Sequence, residues 1–233
     1  MNYAIEIKNL IKSYENFTLN IDELKIPSGM IIGLIGENGA GKTTLINSIL
    51  GIVNPTASTL SLTDKKDIGV VLDNSFFPEI LTAKNIDSIM KDIYENWNHD
   101  MFYNYLKDFK INDSQKIKTL SKGMKKKLEI ATALSHEPKL LILDEPTSGL
   151  DPIVRSEVLD IFTDFIKDEE HTILLSTHIT SDLEHIADYI IFINEGKIIL
   201  NKTAKDGITV SDKLYVCLKD NSDKNQYGIT LFY

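Results

Sequence analysis

The residues best suited to chemistry in this 233-residue chain lie in two segments that handle phosphate. The first is Gly36-Glu37-Asn38-Gly39-Ala40-Gly41-Lys42-Thr43, followed by Thr44, and it fits the pattern G-x-x-x-x-G-K-[ST]. Its glycines let backbone N–H groups turn inward around phosphate oxygens. A following helix adds its positive N-terminal end. Lys42 suits the β- and γ-phosphates, and the Thr43 hydroxyl suits Mg²⁺. The second segment is Leu140-Leu141-Ile142-Leu143-Asp144-Glu145, an apolar run that ends in two carboxylates. It reads as a buried parallel strand. Asp144 is placed to hold Mg²⁺, mostly through water, and Glu145 to act as general base or water-orienting group beside a γ-phosphate. Neighbours on a strand point to opposite faces, so the two acids are expected to do different jobs.

A third anion-binding geometry lies between them. Leu120-Ser121-Lys122-Gly123-Met124 opens a helical stretch, where a hydroxyl, backbone N–H groups and the helix dipole converge. With one phosphate site already filled by the loop, a second suggests a shared nucleotide. The Ser121–Gly123 turn of one copy would face the phosphate loop of another.

These residues need a frame that brings them together, and the pattern supplies one. Residues 4–7 and 17–21 alternate with period two and read as strands of a small antiparallel sheet. Residues 30–35, 68–72, 140–143, 173–176 and 189–193 are short apolar strands, with helical stretches between most of them. Asn194-Glu195-Gly196-Lys197 is a hairpin turn into residues 198–200. Residues 78–133 carry helical spacing, as in Ile86, Ile89, Met90 and Ile93. Alternating strands and helices predict an α/β fold with a parallel sheet. A small N-terminal antiparallel subdomain and an inserted α-helical lobe complete the expectation. Residues 213–218 are a candidate for one more strand, with no role assigned.

Composition narrows the function classes. A net charge of −9 argues against a nucleic-acid partner, which calls for a basic footprint. The one cysteine, Cys217, excludes an internal disulfide framework and fits a reducing cytosol. No apolar run approaches the roughly 20 residues needed to span a bilayer, and residues 1–12 lack a signal-peptide core. A membrane role would therefore come through a partner. Arg155 is the only arginine. It is expected to hold a carboxylate in its fork, with phosphate contact as the alternative. Lys125-Lys126-Lys127 reads as a solvated face, with a bound phosphate as the alternative partner.

Taken in order, these motifs make the chain resemble the ATP-binding subunits of ABC transporters over about residues 3–200. The resemblance rests on the phosphate loop, the Leu120-Ser121-Lys122-Gly123-Met124 signature and the Asp144-Glu145 pair. It rests also on Ser148-Gly149-Leu150-Asp151 and Ser176-Thr177-His178. It implies a P-loop NTPase core over residues 1–200 with the lobe at about 74–134, and a C-terminal tail at 201–233. It implies ATP and Mg²⁺ as ligands, with hydrolysis at the interface of a head-to-tail dimer. That dimer is a homodimer or a heterodimer with a second ATP-binding subunit. The assembly would dock on a transmembrane permease subunit at the cytoplasmic face of the membrane. Tyr14 matches the aromatic that stacks on adenine, Asp151 the dimer-contact loop, and His178 the switch histidine. The Lys–Gly–Met signature resembles ABC-2-type exporters of bacitracin, lantibiotics and amphipathic peptides. Alternatives are a soluble ATPase of the same type and a non-hydrolysing regulatory subunit.

Two departures carry chemistry. Lys122 and Met124 replace a glycine and a glutamine of the usual signature. Asp73 stands where the family generally has glutamine. An aspartate only accepts hydrogen bonds and is one carbon shorter, so Asp73 is expected to face metal or a partner-contact loop. His99, His136, His171 and His185 read as surface or packing residues. Phe77 and Trp97 are candidate partner contacts.

Overall fold

The computed structural model describes residues 2–203. The segment at 213–218, with Cys217, lies outside the described residues. Strands β1 (Tyr3–Tyr14) and β2 (Phe17–Pro27) form an antiparallel hairpin. Their inward positions, Ile5, Ile7, Leu10, Leu19, Ile21, Leu24 and Ile26, are all buried. A third strand, β4 (Ala57–Leu62), pairs with β1 and completes the small sheet in the order β2-β1-β4. Strand β4 carries no clear signal of its own in the sequence. Its A-S-T-L-S-L run has little apolar alternation, and pairing with β1 makes it a strand.

The large sheet has the order β5-β6-β7-β3-β8-β9. It comprises β3 (Ile31–Ile35), β5 (Ile68–Val71), β6 (Leu140–Asp144), β7 (Thr172–Thr177), β8 (Tyr189–Asn194) and β9 (Lys197–Thr203). All neighbours are parallel except β8 and β9, which form an antiparallel hairpin. Every residue of β3, β6 and β7 is buried, as expected of strands covered on both faces.

Alternation splits β6 between two cores. Leu140 and Ile142 face the small sheet and helix α1 (Lys42–Ile49). Leu141 and Leu143 face α4 (Lys122–Leu134), α5 (Pro152–Phe165) and α6 (Thr180–Ile186), through Ile130, Val158, Phe162 and Leu183. Each such buried Leu, Ile or Phe contributes about 1.5–3 kcal/mol.

The helical block begins at α2 (Ala83–Ile93), whose start is fixed by a capping box between Thr82 and Asn85. Asn98 caps α3 (His99–Asp108). These two helices pack Ile86, Phe102 and Leu106 against Leu128 and Ala131 of α4. Helix α4 therefore has two faces. One closes the lobe, while Ile130, Ala133 and Leu134 join the core of the large sheet. Among the described residues no helix is long and apolar enough to cross a membrane.

Candidate functional site

The site lies beyond the C-terminal ends of β3, β6 and β7, where parallel sheets place ligands. The phosphate loop runs from Gly36 at the end of β3 to α1. Gly39 and Gly41 have φ of 84° and 112°, values that glycine reaches without steric cost. Gly36 is glycine for a different reason: a Cβ there would sit 2.4 Å from Ile193 O. Gly36 and Ala40 are buried, while Glu37, Asn38 and Gly39 are exposed at the loop's rim.

Lys42 is only 5% exposed. Its Nζ donates to Gly36 O at 2.7 Å and Glu37 O at 3.3 Å, and lies 3.5 Å from Glu145 Oε1. The ammonium thus closes the loop on itself and faces the catalytic candidate. Next to it, Thr43 Oγ1 donates to Asp144 Oδ2 at 2.8 Å. Ser176, at the end of β7, donates from Oγ to the other oxygen, Asp144 Oδ1. Thr44 lies inside the first turn of α1 and accepts from Ser48 at its carbonyl.

Glu145 departs from expectation in one respect. Strand β6 ends at Asp144, and Glu145 has a left-handed φ of 49°. A turn, and not the pleat of a strand, separates the two acids. The Glu145 N–H is held by Ser176 O at 3.1 Å. Its carboxylate is bracketed by Lys42 and by His178 Nδ1, which lies 2.8 Å from Oε2. His178 follows β7, so the 172–178 segment serves both acids, Ser176 on Asp144 and His178 on Glu145.

The donor set fits Mg²⁺. That ion binds through few protein oxygens and keeps waters and substrate phosphate. A hydroxyl and a carboxylate oxygen already 2.8 Å apart, beside the phosphate loop, are such a set. Among the described residues no three His, Cys, Asp or Glu side chains converge on a metal position. Asp73 is exposed in the bend after β5 and belongs to no such group.

Tyr14 ends β1, 48% exposed, with its ring 6.5 Å from that of Phe17. A cleft of about 430 Å³ opens between this hairpin and the phosphate loop, lined by Phe17, Thr18, Asn38, Gly39, Asn194 and Glu195 among others. The β8–β9 turn has a role here that its local sequence does not announce. Gly196 N donates to Ala40 O at 2.9 Å, and Asn20 N donates to Gly196 O at 2.8 Å. The turn therefore props the phosphate loop against β2. The turn itself was legible, but no local signal marks this long-range contact.

Three expected site residues lie on other elements. Ser121 caps α4 by accepting from Met124 N at 3.2 Å. Gly123 packs against Val154, whose Cγ1 would be 3.1 Å from a Cβ there. Asp151 caps α5 by accepting from Val154 N at 3.1 Å. Among the described residues no hydrogen bond or ion pair joins Ser121, Gly123 or Asp151 to the phosphate loop.

The other singled-out residues have structural partners. Arg155 grips Asp182 through Nε and Ser181 Oγ through Nη2 at 2.9 Å, the carboxylate-holding role expected of it. The lysine run is not the solvated face expected. Lys125 pairs with Glu79 at 3.0 Å, Lys127 with Glu157, and Lys126 is buried. Both acids are distant in sequence, so the run alone concealed them. His99 pairs with Asp87, His171 stacks on Phe165, and His136 is buried against Tyr94. The side chain of His185 lies outside what the structure describes. Trp97 donates to Asp87 Oδ1 at 2.9 Å and packs on Phe102, so it serves the lobe's interior.

Comparison with known proteins agrees with this geometry. The ABC transporter family profile matches residues 19–148. The lantibiotic transport ATP-binding protein SrtF of Streptococcus pyogenes is 39% identical over 208 residues, covering 85% of this chain and 90% of that protein. The bacitracin transport ATP-binding protein BcrA of Enterococcus faecalis is 35% identical, over 85% of this chain and 69% of that one. Among solved structures, an ATP-binding subunit of an ABC transporter superposes with a TM-score of 0.81 at 27% identity, covering 93% of this chain and 99% of its own. The phosphate loop, the Asp144–Glu145 corner and these likenesses lead to one conclusion: the chain belongs to the ABC transporter family, among its ATP-binding subunits.

Proposed function

We propose that this subunit hydrolyses ATP to drive a membrane exporter of peptide antibiotics, and that two ATP-binding subunits enclose each nucleotide between them. The observation that carries the hydrolytic part is the Glu145 carboxylate held between Lys42 at 3.5 Å and His178 at 2.8 Å, beside the Thr43–Asp144 pair. The relatives named for lantibiotic and bacitracin transport support the substrate class.

In this reading residues 1–200 are the ATPase domain, with the helical lobe at about 74–134. Tyr14 stacks on the base, and the loop from Gly36 to Thr44 holds the phosphates. Thr43 and Asp144 would hold Mg²⁺, which when bound neutralises charge on the phosphoryl oxygens. Glu145 orients the attacking water and takes its proton. His178 keeps Glu145 aimed, and Lys42 balances charge as it develops. From a second copy, Ser121 and Gly123 contact the terminal phosphate, and Asp151 lies at the seam between subunits. The complex sits on the cytoplasmic face of the membrane through a permease subunit. Phe76, 73% exposed beside Phe77 in the loop after Asp73, offers an apolar foothold for it.

The test is steady-state ATPase of the chain and of its Glu145→Gln variant. The amide keeps the carboxylate's shape and cannot accept the proton. Turnover should fall about 10²–10⁴-fold with ATP affinity retained. Turnover at the wild-type rate would remove Glu145 from the chemistry.

A further inference from the structure

We infer that Lys126 is a positioning residue for the nucleotide contact made in trans, a role that rests on the two-copy reading above. Lys126 lies three residues beyond Gly123 on α4, about 4.5 Å further along the helix. It is 6% exposed. An ammonium is strongly hydrated, so a lysine this deep needs groups that replace its water. Its Nζ donates to Leu72 O at 2.8 Å and lies 3.0 Å from Glu129 Oε2. That carboxylate oxygen accepts no aligned hydrogen bond. The contact with Glu129 is therefore a pairing of charges, and the directed bond of the ammonium goes to Leu72.

Leu72 lies one residue past the last ladder pair of edge strand β5, Val71 with Leu143, and one residue before Asp73. Lys126 thus fastens the first turns of α4 to the strand end that leads into Asp73. The neighbouring lysine pairs reach exposed acids, Glu79 and Glu157, and exposed pairs hold position weakly. The part-buried bond to Leu72 O is the directed polar link between this end of α4 and the end of β5, beside the apolar packing of the helix on the sheet. Ser121 and Gly123 ride on that end. A movement of the Leu72–Asp73 corner is therefore carried to the turn that meets the second copy's nucleotide. The inward lysine of the 125–127 run has this task, which its neighbours do not share.

The experiment uses the full chain with Glu145→Gln, so that ATP is not consumed. Lys126→Met combined with Glu129→Met removes both buried charges together and preserves volume. Nucleotide affinity of the monomer and the MgATP half-point for dimerisation are measured separately. Monomer affinity should stay within about twofold, while the dimerisation half-point rises about tenfold, equivalent to ~1.4 kcal/mol. Lys126→Arg, which still donates to Leu72 O, should stay within about threefold of the parent. If the double variant does not fold, Lys126→Met with Glu129→Gln carries the same readout. An unchanged half-point overturns the role of Lys126. So does an equal loss of monomer affinity, which would mark general damage. A Glu145→Gln parent that stays monomeric overturns the two-copy reading itself, and the role of Lys126 with it.

Discussion

Glu145 gains its setting from a turn in which it adopts φ of 49° just after β6, with its N–H tied to Ser176 O. Such a backbone state is uncommon for a residue with a side chain and persists where surrounding contacts fix it. Here it turns the carboxylate toward Lys42 and His178. Asp73 follows Leu72 at the corner where the chain leaves β5. It is exposed in the bend beyond β5. Asp73→Gln should leave nucleotide affinity unchanged and alter partner-stimulated turnover; identical stimulated rates would refute a coupling role. His136 gives a pH-dependent prediction. It is 2% exposed, with Nε2 3.2 Å from Ile68 O. Burial pushes its imidazole below the ordinary value of 6.5, against weaker opposing effects of the Ile68 and Thr132 carbonyls. The unfolded chain then takes up a proton that the folded one resists. The stabilisation is full above pH 6.5 and is lost as pH falls from there through the lower folded value. The thermal midpoint should drop over that range, and His136→Gln should flatten the drop. An unaltered pH profile in the variant would rule His136 out as its source.

At the scale of elements, the phosphate loop depends on a hairpin that is far away in sequence. The β8–β9 turn bonds to Ala40 and to Asn20, and Gly196 at its tip has φ of 74°. A Cβ on Gly196 would stand 2.1 Å from Thr18 O, a backbone atom that cannot swing aside. Gly196→Ala should therefore cost at least about 2 kcal/mol and lower Tm by about 4–8 °C. It should also weaken ATP binding, because the turn and the loop move together. A variant with unchanged Tm and ATP affinity would show that the turn is no prop. Helix α4 is the other element with a double task. Its Leu128 and Ala131 close the lobe while Ile130, Ala133 and Leu134 seal the sheet. The two assemblies therefore share a rigid member, and Lys126 is its bond to the edge strand.

For the whole molecule, the core strands and the phosphate loop were readable because each carries its own signal. The loop has its glycines and Lys42. Strands β3, β6 and β7 have unbroken apolar runs that only a doubly covered sheet explains. Strand β4 was not readable, since A-S-T-L-S-L becomes a strand only through β1. Lys126 reads as solvated until folding brings Leu72 O to it across 54 positions. The bracket around Glu145 likewise joins segments from residues 42, 145 and 178, and spacing alone gives no distances between them. The central property in the proposed function is that ATP joins two copies, with Ser121 and Gly123 of one meeting the nucleotide held by the other; within one chain no hydrogen bond joins them to the phosphate loop among the described residues. The most direct measurement is the solution mass and bound-nucleotide stoichiometry of Glu145→Gln at saturating MgATP, alone and on its membrane partner. The account predicts twice the chain's mass with two ATP molecules retained per pair. A single-chain mass in both settings, with ATP bound, would contradict it.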